Sequence, residues 1–275
     1  MAFEKLGATP LDYMPCRYGT SKLLFRGPAR DPRGRYVAFL GGTETYGKFI
    51  RRPFPALVEE RCGLPCINLG WPNAGLDVLL HDSAILPAAS GAALAVVQVP
   101  GAQNLSNRYF TVHPRRNDRF VKPSVLLRAI YPEVDFTEFH FTRHMLGHLA
   151  DLSPERFAPV RRELQQAWRA RMRLLLTRID APVLLLWLAP QAAPLRADLP
   201  GPGAAPAFVT RAMLEAPGGA CVRLVELAYG EAALGGRGMA FSPFEAQAAA
   251  ELPGPGVHAL AADALMPALR EALGA

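Results

Sequence analysis

The side chains that chemistry needs are concentrated in two stretches of this 275-residue chain. The first is the turn Gly41-Gly42-Thr43-Glu44-Thr45-Tyr46-Gly47, which follows the apolar run Tyr36 to Leu40 and leads into a helical pattern. A glycine-bracketed strand-to-helix turn is where an α/β enzyme carries a nucleophilic hydroxyl, here Thr43, with Glu44 beside it to contact a substrate. The second stretch runs from Asn104 to Phe120 and interleaves Arg108, Arg115, Arg116 and Arg119 with Asn107, His113 and aromatic residues. Guanidinium groups in that company can grip a carboxylate, sulfate or phosphate bidentately while the rings stack on a sugar or nucleotide. The competing reading is a solvated loop stitched together by Arg to Asp bonds.

Half of the residues are hydrophobic and one fifth are charged, which is the balance of a globular protein with one sizeable core. The net charge of +6 is carried mostly by arginine in a chain also rich in Ala, Gly and Pro. A general basic excess of this kind does not mark a nucleic-acid surface, and none is expected. No apolar run has the length of a signal core or a membrane span, so a cytoplasmic location is expected. Four cysteines, at 16, 62, 66 and 221, are too few for a disulfide framework. Cys62 and Cys66 read as buried thiols, and no metal or other cofactor is called for.

Five short apolar runs, Tyr36 to Leu40, Pro65 to Leu69, Ala93 to Val99, Pro182 to Leu188 and Cys221 to Leu227, read as strands buried on both faces. Helical patterns lie between and after them: Phe49 to Arg61, Leu76 to Ala88, Glu155 to Arg178, Phe208 to Glu215 and His258 to Leu273. This alternation predicts a flavodoxin-like, three-layer α/β/α fold with a five-stranded parallel sheet in the order 2-1-3-4-5. Ligands then gather beyond the carboxyl ends of the strands. Residues 1–35 read as an N-terminal extension packed on a single domain spanning 36–275. A long insertion at 100–152 interrupts that domain, and Ala189 to Ala207 reads as a flexible connection. His140, His144 and His148 fall on one face if Phe136 to Leu149 is helical, and they read as structural or substrate-facing rather than metal-binding. The Glu155 to Arg178 pattern places Trp168 in the core.

The turn at Gly41 resembles the first signature block of the SGNH/GDSL esterase superfamily, Gly-Asp-Ser-x-Thr-x-Gly. Gly41, Thr45 and Gly47 match, and Gly42 and Thr43 replace the family's Asp and Ser. The resemblance continues through Asn68-Leu69-Gly70-Trp71-Pro72-Asn73-Ala74-Gly75, through Gly101-Ala102-Gln103-Asn104, and through Pro255-Gly256-Val257-His258 in place of the family's Asp-x-x-His block. It implies Thr43 as nucleophile, His258 as general base, and Gly75 or Gly70 with Asn104 as oxyanion donors. Asn107, His113, Arg115, Arg116 and Arg119, with Glu44, would then hold the substrate. The acid position is Pro255, so an orienting carboxylate must come from elsewhere, with Glu44, Asp77 and Asp118 as candidates. The structural alternatives are a helix-capping hydroxyl for Thr43 and a backbone-bonded histidine for His258. The whole chain, including His113 to Phe120, also resembles a family of alphaproteobacterial proteins of this length that carries no assigned activity.

The expected function is therefore an SGNH-like esterase or O-acyltransferase acting on a polar or anionic carbohydrate. Two alternatives stand beside it: a sulfo- or other group transferase of polysaccharide assembly, and a non-catalytic glycan- or anion-binding protein on the same scaffold. The sequence does not specify an oligomeric state.

Overall fold

The structure is a computed structural model that describes residues 11–195, 206–215 and 221–274. The first ten residues of the expected extension and residues 196–205 of the expected connection lie outside the described residues. The strands are β1 (Val37–Gly41), β2 (Cys66–Gly70) and β3 (Leu94–Gln98), then β4 (Phe110–Val112) and β5 (Phe120–Pro123) within the expected insertion, then β6 (Val183–Ala189) and β7 (Cys221–Ala228). Five of them form a parallel sheet ordered β2-β1-β3-β6-β7, and β4 and β5 pair antiparallel as a separate ribbon. Counting only the strands of the large sheet, the order is the expected 2-1-3-4-5.

The helices are α1 (Thr43–Tyr46), α2 (Phe54–Cys62), α3 (Leu76–His81), α4 (Ile85–Ser90), α5 (Val125–Ile130), α6 (Thr142–Leu152), α7 (Pro154–Arg178), α8 (Arg211–Leu214), α9 (Ala246–Ala250) and α10 (Pro255–Leu273). Side chains alternate across each strand, so the sheet feeds two cores. One face sends Ala38, Leu40, Leu69, Val97 and Leu185 against Leu76 and Leu79 of α3 and Trp168 and Leu175 of α7. The other sends Val37, Phe39, Val96, Leu184 and Leu186 against Phe54 and Val58 of α2 and Val257, Ala261, Leu265 and Leu269 of α10. Those last four residues recur every fourth position, the spacing of one helix face.

Several expected helices are shorter or divided. The pattern from Phe49 starts as a helix only at Phe54, because Phe49 adopts a left-handed conformation and Pro53 is extended. The pattern from Leu76 breaks at the extended Asp82 into α3 and α4. Phe136 to Leu149 is not one helix: a 3₁₀ turn covers Phe136–Glu138, capped by the Asp135 carboxylate, and α6 begins only at Thr142. The intervening backbone is held in extended form against β5, with Phe120 N donating to His140 O at 3.0 Å and a bridge between Arg119 and Phe141. His140 is thereby separated from the helix. His144 and His148 remain on α6 and flank the Phe139 ring, with centroids 5.0 and 5.3 Å away.

Within the described part of the N-terminal segment, Cys16 and Phe25 form an antiparallel bridge and Leu23 and Phe25 are buried in the first core. The buried Arg26 guanidinium fastens the segment to the chain after α1, donating to the carbonyls of Gly47 (2.5 Å), Ile50 (2.6 Å) and Arg51 (3.1 Å). Among the described residues no helix is long and apolar enough to cross a membrane.

Candidate functional site

A polar residue ends β3 and another sits at the centre of β2, and the two organise the edge of the sheet. Gln98 ends β3 and is almost fully buried, and a buried amide must find partners. Its Oε1 accepts from Gly42 N (3.3 Å), Thr45 N (3.2 Å) and Thr45 Oγ1 (2.5 Å), while Nε2 donates to Glu44 Oε2 at 2.8 Å. The turn after β1 is therefore folded around a side chain delivered by β3, across the point where strand order reverses. Asn68 in β2 does the same from the other side, donating to Thr45 O at 2.8 Å and accepting from Gly70 N at 2.9 Å. Both residues are visible in sequence as a lone amide in a β-rich apolar run. Gln98 was not among the expected site residues.

Thr43 lies at the start of α1 and is nearly buried. Its hydroxyl donates to Asn73 Oδ1 at 3.1 Å and accepts from Asn73 N at 2.9 Å, and it makes no capping bond to its own helix. Asn73, whose positive φ of 56° is a conformation asparagine tolerates, passes the chain of bonds on by donating from Nδ2 to Asp118 Oδ2 at 3.1 Å. Burial pushes the Asp118 carboxyl above the usual carboxylate range, and the Asn73 bond and the nearby Arg119 and Arg116 offset only part of that. Asn104 reaches the same cluster: Thr142 Oγ1 donates to its Oδ1 at 2.8 Å, and its Nδ2 makes a long 3.4 Å bond to Asn73 O.

Gly42, Thr43, Glu44, Asn73, Gln98, Gln103 and Asn104 line a cleft of about 110 Å³ at the carboxyl ends of β1 and β3, closed by Leu188 and Pro206. Glu44 is the ionisable side chain in that lining. Gln103 contributes a buried Oε1 without a hydrogen-bond partner.

The remaining residues expected to complete a catalytic set are placed differently. His258 is one turn inside α10, 1% exposed, with Nδ1 accepting from Phe54 N at 3.1 Å and its ring stacked on Phe54 at 5.8 Å. It belongs to the α2–α10 contact and shares no hydrogen bond with Thr43. Burial, with a smaller contribution from Arg26, lowers it to about 3 and keeps the ring neutral. Pro255 is simply the first residue of α10, a position where its missing N–H costs nothing. Nor are the expected backbone donors free: Gly70 N is bound by Asn68, and Gly75 N donates to Asn117 Oδ1 at 3.0 Å. Asp77 is bound to Ser106 N and Arg171, at 2.7 and 2.5 Å. Asn107 folds its own turn, accepting from Tyr109 N and Phe110 N and donating to Leu105 O.

Gly75 is needed for space, since a Cβ there would collide with the Asn104 backbone carbonyl oxygen. Gly75→Ala is expected to cost about 1–3 kcal/mol as the Asn104 loop is pushed off α3, measured as a lower urea midpoint with an unchanged slope.

Of the loop residues expected to hold a substrate, His113, Arg115, Arg116 and Arg119 line a second groove of about 460 Å³ together with Lys22 and Trp71, and Asn107 does not. Among the described residues no group of three or more His, Cys, Asp or Glu side chains could hold a metal ion.

Fold and site together define a flavodoxin-like α/β protein with a polar cleft at the topological switch point of its sheet. The chain belongs to the DUF6473 family, described as a domain of unknown function, whose model matches residues 1–273. A comparison with curated proteins gave no match. Solved structures similar to this chain include three carbohydrate esterases. One is a carbohydrate esterase family 2 enzyme with a carbohydrate-binding domain from Corynascus thermopiles (Myceliophthora fergusii), 13% identical over 91% of this chain and 70% of that one, TM-score 0.46. Another is an acetyl xylan esterase from Butyrivibrio proteoclasticus, 11% identical over 92% and 67%, TM-score 0.45. The third is a family two carbohydrate esterase from Cellvibrio japonicus, 13% identical over 91% and 64%, TM-score 0.41. At these levels of identity and superposition the fold assignment rests on the chain's own sheet order.

Proposed function

We propose that the cleft binds a polar carbohydrate and that Thr43 does not act as an acyl-transfer nucleophile. The observation that carries this reading is the hydrogen bonding of Thr43, whose hydroxyl is directed at the Asn73 amide oxygen. An amide oxygen is far too weak a base to take the hydroxyl proton, and an unactivated hydroxyl at neutral pH is a poor nucleophile. His258, the imidazole that the SGNH resemblance assigns to this task, is engaged by Phe54 N. The side chains of Asn73, Gln103 and Asn104 line the cleft with amide groups suited to sugar hydroxyls.

The test is calorimetric titration with neutral gluco- and xylo-oligosaccharides together with an assay of acetate release from their acetylated forms. Saturable binding weakened about tenfold by Asn104→Ala, a loss of about 1.4 kcal/mol, with acetate release at the background rate, is the expected result. Turnover that Thr43→Ala abolishes would overturn it.

A second reading is favoured by Glu44, the ionisable group in the cleft lining. In that reading the protein is an ester hydrolase in which Glu44 activates a water directly and no acyl-enzyme forms. Acetate release would then survive Thr43→Ala and disappear in Glu44→Gln.

A further inference from the structure

The cationic groove beside the cleft is built differently from the rest of the basic surface. Arg108, Arg143 and Arg156, in or next to the same insertion, are each paired with a glutamate: Glu163 at 2.5 Å, Glu251 at 3.0 Å and Glu133 at 2.6 Å. Lys22, Arg115, Arg116 and Arg119 make no ion pair among the described residues, and all four are exposed at the groove. Arg119 is held over the Phe141 ring at 5.4 Å, which orients the guanidinium without neutralising it. Asp118, the nearby carboxylate, is turned toward Asn73.

The loop that carries these cations is ordered by its own polar contacts. His113 Nδ1 accepts from both Arg115 N and Arg116 N at 3.2 Å, so the ring hydrogen sits on Nε2 and the free edge of the imidazole is a donor. Trp71 Nε1 donates to Arg115 O at 2.8 Å, which pins the half-buried indole to the loop and leaves its ring to line the groove. Donors and positive charges thus converge around one aromatic ring, with acceptors spent inside the loop.

We propose that this groove is an anion subsite for a phosphate or sulfate ester carried on a sugar, with the sugar ring against Trp71 and the ester oxygens on Arg115, Arg116, His113 and Lys22. Arginine forks match the oxygens of such tetrahedral esters, and the cluster retains its full charge until one binds. The proposal rests on the cleft reading only for the neutral part of the ligand, which would extend from Trp71 past Asn73 toward Asn104.

The experiment is calorimetric titration at low ionic strength with glucose 6-phosphate, glucose 6-sulfate and glucose. At least one of the two esters is expected to bind about tenfold or more tighter than glucose, to weaken as salt is added, and to lose that advantage in the Arg115→Ala/Arg116→Ala double variant. Binding of only one of the esters would identify whether the site is built for phosphate or for sulfate. Arg108→Ala, which breaks a pair with Glu163 elsewhere, should leave the affinity unchanged. Both variants alter exposed side chains, and equal melting temperatures would confirm that they fold. An affinity without preference for the esters, or one that survives the double variant, would overturn the groove and leave the cleft reading standing. Ester binding in a protein that binds neutral oligosaccharides nowhere would do the reverse.

Discussion

His258→Ala is expected to destabilise the protein by about 3–5 kcal/mol, the sum of an unpaired buried N–H on Phe54 and an unfilled space between α2 and α10. The same histidine should make the fold acid-labile. Its folded-state value of about 3 lies below the ordinary 6.5, so between those limits the unfolded chain binds the extra proton. The contribution of the neutral ring is complete above pH 6.5 and is lost as pH falls toward 3, with a slope of about 1.4 kcal/mol per pH unit inside the window. Between pH 6.5 and 4.5 the carboxylates Glu59 and Glu226, held below their ordinary range, contribute little, while Asp118, held above it, acts with the opposite sign, so a variant that cannot titrate is needed to assign the response to the histidine. His258→Asn places an amide oxygen near the position of Nδ1 and can keep the Phe54 bond without titrating. Urea denaturation across this interval should show a steep pH dependence in the wild type and a flat one in His258→Asn. A slope that persists in the variant would assign the acid response to another group.

Asn117→Ala is expected to be as damaging and to act on both binding regions at once. Asn117 is 0% exposed. Its Oδ1 accepts from Gly75 N and Val78 N at 3.0 Å, satisfying donors at the start of α3, while Nδ2 donates to His113 O at 3.1 Å and Pro114 O at 3.3 Å. One side chain therefore ties the arginine loop to the helix that follows the Asn73 turn. Alanine strands buried donors and acceptors on both sides, at a cost of about 3 kcal/mol or more, and releases the loop. The expected result is a lower urea midpoint together with loss of ester binding, although Asn117 lines neither concavity. Asn117→Asp retains the acceptor and loses the donor, so it should recover the α3 contacts more fully than the loop. Equal damage in the two variants would show that Asn117 does not couple the loop to the helix.

The fold was legible because its determinants are local and repetitive. Five apolar runs of strand length, separated by helical patterns, leave a parallel sheet as the arrangement that buries both faces, and the observed strands match those runs to within a residue or two. The cleft was legible in outline, since Gly41 to Gly47, Asn73 and Asn104 all fall at the carboxyl edge of the sheet. What could not be read was the direction of side chains. Whether His258 faces the cleft or the α2–α10 contact depends on where the last helix begins, and Pro255 starts it one turn before the histidine. The free or engaged state of the Gly70 and Gly75 N–H groups depends on Asn68 and Asn117, and the second of these lies 42 residues from its partner. Gln98 carried a signal, a polar residue closing an apolar strand, but its partners across the switch point appear only in three dimensions. The stripe of His140, His144 and His148, which required a helix from Phe136 to Leu149, does not form because the backbone of His140 and Phe141 pairs in extended form with Phe120 and Arg119.

Whether the cleft recognises a carbohydrate without using Thr43 as a nucleophile can be read from acetate release from an acetylated oligosaccharide, measured side by side for the wild type, Thr43→Ala and a protein-free control. The same background rate is expected in all three, with the Thr43→Ala protein still binding the deacetylated sugar. Enzymatic release by the wild type that falls to the control rate in Thr43→Ala would contradict it.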